Sequence, residues 1–165
     1  MIIELTRGAV SVIDDEDFEE ISKYHWHLSS KGYACRRFKE DGKWCNTYIH
    51  RQLTGLTHHD KLIVDHIDGD KLNNRRSNLR VCTNAENMRN RCQQINNTSG
   101  YKGVTFDVDC PLRPWRAIIY VNGKKIRIGW YATPQEAHQA YCKAALELHG
   151  EFANFGRIPE VDHAE

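Results

Sequence analysis

Four polar residues of the sequence have types and spacing that suit a metal-assisted reaction. Asp65 and His66 end a short apolar run; Asn78 follows twelve residues after His66, and Asn87 nine residues after Asn78. The Asp65 carboxylate and the Asn87 amide oxygen are ligands of the kind that a hard divalent cation prefers. The His66 imidazole then remains as a general base, and a hydrogen bond with Asn78 would fix its tautomer.

This set of groups fits the hydrolysis of a phosphodiester. The base removes a proton from the attacking water, and the cation stabilises the charge that develops on the phosphate and on the leaving 3′ oxygen. Phosphate oxygens and water would complete the coordination of the ion. The sequence therefore predicts a Mg²⁺ site, in which Mn²⁺ or another divalent cation can substitute.

A strand, a loop, a second strand and a helix are expected to position these residues. The apolar residues 62–64 lead a strand into the Asp-His pair, and residues 78–82 form the second strand after a polar loop. Residues 83–86, Thr-Asn-Ala-Glu, form a capping box, which predicts a helix with Asn87 in its first turn.

Upstream of this segment the sequence predicts a hairpin and a short helix. Strands at residues 33–38 and 43–49 flank Glu40-Asp41-Gly42, and the helix covers residues 50–53. The six acids between Ser11 and Glu20 are typical of an exposed helix start, where negative charge is favourable.

One continuous motif joins the four polar residues: Val64-Asp65-His66-Ile67-Asp68-Gly69-Asp70-Lys71-Leu72-Asn73-Asn74, Ser77-Asn78-Leu79 and Glu86-Asn87. It resembles the HNH endonuclease family, in its phage and homing-endonuclease branch. The resemblance implies that His66 is the general base and that Asn78 orients it. It also implies that Asp65 and Asn87 hold the metal. The third motif position, His in many members, is Asn here, so the variant is H-N-N.

The same resemblance implies a ββα-metal (His-Me finger) unit that leaves 5′-phosphate and 3′-hydroxyl ends. The structural zinc that some branches hold with cysteine pairs has no counterpart in the sequence, so no structural zinc is expected. His25, His27, Cys35 and Cys45 offer an alternative zinc set, but their spacing matches no closed site. Packing or solvent exposure is the interpretation that we favour for them.

A polar stretch divides the chain into two predicted domains. Residues 93–100 have almost nothing to bury and are expected to form a linker. The nuclease domain then covers residues 1–92, with its ββα-metal core at about 61–92. A second domain covers residues 101–155, and residues 156–165 form a tail.

The second domain contains Asn122-Gly123, the strongest turn signal in the chain, which favours a two-residue hairpin loop. Pairing outward from this turn predicts a core face of four cross-strand pairs: Val121 with Lys124, Ile119 with Ile126, Ala117 with Ile128, and Trp115 with Trp130. The opposite face then becomes basic and aromatic, with Arg116, Ile118, Tyr120, Lys125 and Arg127.

A helix is expected to cover the core face of this hairpin. Thr133-Pro134-Gln135-Glu136 is a capping box that starts it, and Gly150 ends it. Apolar side chains recur on its predicted buried face: Ala137, Ala140, Tyr141, Ala144 and Leu148.

Several segments of this domain share a second motif: Tyr101-Lys102-Gly103-Val104, Trp115 to Ile119, Gly129 to Ala137, Ala140-Tyr141 and Asn154-Phe155. They resemble the DNA-binding domain of plant ethylene-response factors, the AP-two type, which reads the major groove with a three-stranded sheet packed on one helix. The resemblance implies DNA contacts from Lys102, Tyr120, Lys125 and Arg127, with Arg116 on the same face. Thr105, Asp107 and Ile118 depart from the plant pattern, so the plant target sequence is not expected.

Basic residues cluster in two stretches although the net charge is only +1. Residues 71–92 hold six bases and one acid, and residues 99–131 hold six bases and two acids. The first cluster is expected to grip the phosphate backbone: Arg75, Arg76, Arg80, Arg89 and Arg91. Double-stranded DNA is therefore the expected partner.

Together these observations predict an α+β protein: a ββα-metal nuclease unit followed by a three-stranded antiparallel sheet packed on one helix. The expected activity is metal-dependent DNA cleavage, with nicking favoured because one chain has one site. The chain could act as a monomer or a homodimer. No small-molecule cofactor is expected, and the absence of a membrane run or signal peptide predicts a cytoplasmic location, in the bacterial host if the chain is phage-encoded. The alternative is a sequence-specific DNA-binding regulator with an inactive nuclease unit.

Overall fold

The computed structural model describes residues 1–90 and 97–156, and the chain divides into two compact units, residues 1–84 and 85–165. Among the described residues the strands are β1 (Ile2–Glu4), β2 (Val10–Val12), β3 (His27–Leu28), β4 (Ala34–Glu40), β5 (Lys43–Tyr48), β6 (Ile63–His66), β7 (Leu79–Cys82), β8 (Val104–Phe106), β9 (Trp115–Val121) and β10 (Lys124–Tyr131). The helices are α1 (Phe18–Ile21), α2 (Ile49–Leu53), α3 (Asn84–Asn90) and α4 (Pro134–His149). None of the helices in these ranges has the length and apolar character that a membrane crossing requires.

The division between the units falls earlier in the chain than the predicted linker at residues 93–100. Residues 85–90 belong to the second unit, where the Arg89 guanidinium donates to Asn122 Oδ1 at 3.1 Å and the Arg89 carbonyl accepts from Lys102 Nζ at 3.3 Å. The first four residues of the predicted linker and nearly all of the predicted tail lie outside the described residues.

Three small antiparallel sheets make up the first unit. β1 pairs with β2, β4 pairs with both β3 and β5, and β6 pairs with β7. The predicted upstream hairpin is confirmed as β4 and β5, and its turn places Asp41 and Gly42 at positive φ. The predicted short helix is confirmed as α2. These elements share one apolar core: Ile3, Leu5, Ile13, Ile21, Trp26, Ala34, Ile49 and Leu53.

Strand β2 also lies beside the loop that connects β6 to β7. The Val12 amide donates to the Leu72 carbonyl at 2.8 Å, and the Val12 carbonyl accepts from the Asn74 amide at 2.7 Å. Ser11, the neighbour of Val12, is fully buried. The loop is therefore held by a strand from the far N-terminal end of the sequence.

The acidic segment is not exposed along its whole length, which corrects the sequence-based expectation. It forms a 3₁₀ turn at Asp15–Asp17 followed by α1, and Asp17 is buried. The Asp17 carboxylate accepts from the Arg76 guanidinium at 2.6 to 3.2 Å, while Asp14 Oδ2 accepts from the Arg76 amide at 2.8 Å. The segment thus anchors the residues that lead into β7.

In the second unit, β9 lies between β8 and β10 in an antiparallel sheet. The predicted Asn122-Gly123 hairpin is confirmed, and the predicted register holds for its first four pairs: Val121 with Lys124, Tyr120 with Lys125, Ile119 with Ile126, and Ile118 with Arg127.

A β-bulge after Arg127 overturns the rest of the predicted register. Because Ile128 falls in the bulge, Tyr131 rather than Trp130 lies opposite Trp115. One extra residue moves every later side chain to the other face of a strand. The two outer pairs of the predicted core face, Ala117 with Ile128 and Trp115 with Trp130, are therefore wrong, and Tyr131 packs against the core in place of Trp130.

The helix predicted after this hairpin is confirmed as α4. Its capping box is closed, since Thr133 Oγ1 accepts from the Glu136 amide at 3.2 Å and Gly150 follows the last turn. Residues of α4 and of the sheet share the core: Ala117 and Ile119 with Ala137, Tyr141 and Ala145. Two residues expected on buried faces, Leu148 and Ile126, are 42% and 40% exposed.

Candidate active site

The strand end that carries the Asp-His pair is buried in the first unit. Pairing of β6 with β7 places Asp65 opposite Arg80 and His66 opposite Leu79. Asp65 is 6% exposed and His66 is 5% exposed. Polar groups this deeply buried require hydrogen-bond partners, so the contacts of these two side chains define the site.

The Asp65 carboxylate forms an ion pair with Arg80. Nε and Nη2 of Arg80 donate to Asp65 Oδ2 at 2.9 and 2.7 Å, and both side chains are largely buried. The sequence assigned Arg80 to the DNA backbone, and that contact stays a prediction; in the structure its guanidinium pairs with the predicted metal ligand. A cation that binds Asp65 must compete with this arginine.

The described hydrogen bond of His66 is with Asn74, whereas the sequence assigned Asn78 to orient it; the orienting role of Asn78 stays a prediction. His66 Nε2 lies 3.0 Å from Asn74 Oδ1. Asn74 is fully buried, and its Nδ2 donates to Ser11 Oγ at 2.7 Å. The Ser11 hydroxyl in turn donates to the Leu72 carbonyl at 3.0 Å. Motif spacing could not identify Asn74, because its partner Ser11 comes from β2.

Asn78 instead shapes the loop between β6 and β7. Its Oδ1 accepts from the Asp68 amide at 3.0 Å, and its Nδ2 donates to Asp68 Oδ1 and to the Asn73 carbonyl at 2.9 and 2.8 Å. Burial acts to raise the pKa of Asp68, but hydrogen bonds from Asn73, the Asp70 amide and Asn78 outweigh it and lower that pKa. The role of Asn78 in the described contacts is therefore to hold the loop that presents Asn74.

Two aromatic rings, those of His50 and Tyr33, pack against His66. The His50 ring meets the His66 ring edge-on at 5.2 Å between centroids, and it stacks on Tyr48 at 5.3 Å. Tyr33 packs 6.0 Å from His66. Burial lowers the pKa of His50 to about 3, and the neighbouring His66 and Arg51 act in the same direction. Sequence reasoning gave His50 no role; the structure places it against the predicted base.

The fourth predicted residue, Asn87, lies in the first half of α3 and is half-buried. That part of α3 belongs to the second unit. Its assignment as a metal ligand stays a prediction.

Other residues with metal-binding side chains lie elsewhere in the first unit. In the described ranges, Glu40, His58 and His59 bring their ligand atoms within 4.8 Å of one another, and all three are exposed. The alternative zinc set of the sequence is partly assembled, since Cys35 Sγ lies 3.1 Å from His27 Nε2. Cys45 lies across the strand pair from Phe38 rather than beside this pair.

The predicted backbone-gripping arginines of the first stretch differ in their surroundings. Arg75 and Arg76 are both exposed, and the Arg76 guanidinium also bonds to Asp17 and to the Leu53 carbonyl at 3.0 Å; their DNA contacts stay predictions. Arg89 is half-buried beside Asn122, and Arg91 lies outside the described residues.

The open face of the second unit's sheet presents a smaller basic surface than predicted. Lys125, Arg127 and Tyr120 are exposed, and the Arg127 guanidinium lies 4.7 Å above the Trp130 ring. Arg116 Nη1 donates to Asp107 Oδ2 at 3.1 Å, and its DNA contact stays a prediction. A groove of about 800 Å³ adjoins this sheet; its lining includes Ala85, Met88, Arg89, Lys102, Thr105 and Tyr120.

The site of the first unit combines three chemical features: a buried carboxylate, a histidine with a hydrogen-bond partner, and a loop rich in side-chain amides. These are the groups that a metal-assisted hydrolase of phosphodiesters requires.

Comparison with known proteins identifies relatives of the chain. The family model described as HNH endonuclease matches residues 49–89. An uncharacterized HNH endonuclease, L560, of Acanthamoeba polyphaga mimivirus is 32% identical over 156 residues, covering 92% of this chain and 77% of that protein. Protein 3.8 of Escherichia phage T7 is 34% identical over 92 residues, covering 56% of this chain and 74% of that protein. No solved structure matches significantly. The chain belongs to the HNH endonuclease family and is an enzyme of that class.

Proposed function

We propose that this chain cuts double-stranded DNA by hydrolysing one phosphodiester, with a single Mg²⁺ ion, to 5′-phosphate and 3′-hydroxyl ends. The observation that carries the proposal is the buried Asp65-His66 pair at the end of β6, whose imidazole is held on one nitrogen by Asn74. Family membership supports the same reaction class.

In this proposal His66 takes a proton from water, and the resulting hydroxide attacks phosphorus. The P–O3′ bond breaks, and the leaving 3′ oxygen takes a proton from solvent. A divalent ion stabilises the charge on the phosphate and on that oxygen when bound. Asp65 and the predicted ligand Asn87 offer the oxygen donors that suit such an ion. The Arg80 guanidinium pairs with the Asp65 carboxylate and holds that side chain in place.

The second unit is proposed to supply the DNA affinity. Its exposed Lys125 and Arg127 lie on the open face of the sheet, the face that the ethylene-response-factor resemblance assigns to DNA. The proposal keeps Lys102, Tyr120 and Arg75 as further contacts and sets aside Arg76, Arg80 and Arg116, whose guanidinium groups have carboxylate partners. One site per chain favours a nick over a double-strand break. Both relatives are viral, which supports action in the cytoplasm of an infected cell.

Supercoiled plasmid incubated with the full chain tests the proposal. Relaxed circles are expected with Mg²⁺ or Mn²⁺ and not with EDTA, and His66→Ala should abolish them while DNA binding is kept. His59→Ala is the matched control, since His59 is an exposed histidine of the same unit. Equal cutting by wild type and His66→Ala would overturn the assigned base. DNA binding without cutting of any target would favour the regulator.

A further inference from the structure

A series of hydrogen bonds joins the Leu72 carbonyl to His66 through Ser11 and Asn74. The Leu72 carbonyl, which can only accept, takes a bond from the Ser11 hydroxyl at 3.0 Å and lies 3.5 Å from Asn74 Nδ2, so the donor end of the amide faces it. Ser11 Oγ must then accept from the next group, which is Asn74 Nδ2 at 2.7 Å. This places Asn74 Oδ1, an acceptor, 3.0 Å from His66 Nε2. Each bond in the series fixes the orientation of the next.

The direction of this series of hydrogen bonds determines the tautomer of His66. Because Asn74 Oδ1 can only accept, His66 Nε2 must carry the proton in the bond between them. In the neutral imidazole the lone pair then belongs to Nδ1. The series therefore selects Nδ1 as the nitrogen that takes the proton from water, and it keeps the imidazolium hydrogen-bonded after that transfer.

Burial makes this arrangement strict. Ser11 and Asn74 are both fully buried, and His66 is 5% exposed. A rotated Asn74 amide would turn Oδ1 towards the Leu72 carbonyl, the acceptor that Nδ2 now approaches to 3.5 Å, and two acceptors that face each other are costly away from water. The backbone bonds between Val12 and the loop hold Ser11 in place.

We propose that Asn74 and Ser11 are positioning residues that keep His66 in the Nε2–H tautomer. The catalytic part of this proposal rests on the proposed function, because it takes His66 as the base. The assignment of the tautomer does not depend on that function. A network with a merely structural role would affect folding and would leave the tautomer and the turnover number of a folded variant unchanged.

Two variants of Asn74 separate positioning from packing. Asn74→Leu keeps the volume and removes the acceptor, whereas Asn74→Asp keeps an acceptor at the same place. Ser11→Ala removes the group that orients the amide, so that the amide can rotate and donate to His66 Nε2. Thermal unfolding and an amide-proton spectrum first establish which variants fold.

Long-range ¹H–¹⁵N correlation spectra of the histidine rings, at about pH 8 where an ordinary imidazole is neutral, report the tautomer directly. Wild type and Asn74→Asp should show the Nε2–H pattern, while Ser11→Ala should shift towards Nδ1–H. In the plasmid assay kcat should fall at least about tenfold for Asn74→Leu and Ser11→Ala, within the roughly 10²- to 10⁴-fold that a general base contributes. KM for DNA should stay unchanged.

The spectra test the tautomer and the plasmid assay tests the nuclease activity, so either prediction can be wrong without the other. An Nδ1–H pattern in wild type, or folded Asn74→Leu and Ser11→Ala variants with unchanged spectra and kcat, would overturn the positioning role while leaving His66 as the base. The expected spectra together with no metal-dependent cleavage would instead overturn the proposed function and leave the tautomer assignment intact. If both Asn74 variants fail to fold, the wild-type and Ser11→Ala spectra still decide.

Discussion

His50 is a histidine that the fold keeps uncharged. It is 7% exposed, its buried Nδ1 has no hydrogen-bond partner among the residues that the structure describes, and burial lowers its pKa to about 3. A charge on this ring would face the His66 ring and the nearby Arg51. The neutral form preserves the packing of the predicted base between His50 and Tyr33.

This burial predicts a loss of stability in mild acid. Between the unfolded pKa of about 6.5 and the folded value of about 3, the unfolded chain binds a proton that the folded chain does not, so stability falls as pH falls. From pH 7 to pH 5 the contribution of His50 is about 2 kcal/mol. His50→Phe should lose that much less over the same range, as measured by urea unfolding in EDTA. Equal losses in both proteins would contradict the assignment.

The Asp65-Arg80 pair makes a second prediction at the scale of single residues. Removing one partner of a buried ion pair leaves a charge without compensation and costs about 3 kcal/mol. In Arg80→Gln a cation at Asp65 replaces the lost positive charge, whereas in wild type it must compete with the guanidinium. We therefore expect Mn²⁺ to raise the Tm of Arg80→Gln more than that of wild type. Arg75→Gln, which changes an exposed arginine, should respond like wild type.

At the scale of elements, the second unit depends on a close approach between a loop and α4. Gly103 has φ +76° and lies against the Tyr141 ring, where a Cβ atom would overlap ring carbons. Tyr141 is buried, and burial raises its pKa to about 12. The loop before β8 can pack on α4 only because residue 103 has no side chain.

Gly123 is a matched control for this contact, because it has the same φ and open space around its Cα. Gly123→Ala should cost only the backbone strain, about 1 to 2 kcal/mol. Gly103→Ala should add an overpacking cost of about 1 to 3 kcal/mol. Urea unfolding of both variants measures the difference in the free energy of unfolding. Equal destabilisation would show that the Tyr141 ring moves aside without a loss of stability.

Local signals predicted the elements well, and long-range contacts limited the rest. The capping box at Thr133 and the Asn122-Gly123 turn act within a few residues, so both elements occur where the sequence places them. The bulge after Arg127 has no turn signature, and it exchanges Trp130 for Tyr131 in the core. Asn74 replaced Asn78 as the partner of His66 for a similar reason, since the position of Asn74 depends on β2.

At the scale of the whole molecule, internal pairing reduces the basic surface that sequence counting suggested. Three arginines form ion pairs with carboxylates: Arg76 with Asp17, Arg80 with Asp65, and Arg116 with Asp107. The hydrogen bond from the Trp130 indole, with the Asp109 amide and the nearby Arg116 and Arg127, lowers the pKa of Asp107 despite burial, so the carboxylate keeps its charge. Lys125 and Arg127 are then the exposed bases on the open sheet face that remain for phosphates.

The salt dependence of DNA binding tests which basic residues contact phosphates and which are held by carboxylates. Each phosphate contact contributes about 0.9 to the slope of log K against log salt. Replacing Lys125 and Arg127 by Ala should make that slope less negative by about 2, because two contacts with their released counterions are lost. Arg116→Gln is the matched control on the same face; its guanidinium is held by Asp107, so the slope should stay unchanged. Fluorescence titrations of a DNA duplex over a range of salt concentrations give both slopes. A change for Arg116→Gln as large as for the double variant would mean that Arg116 leaves Asp107 to reach the backbone.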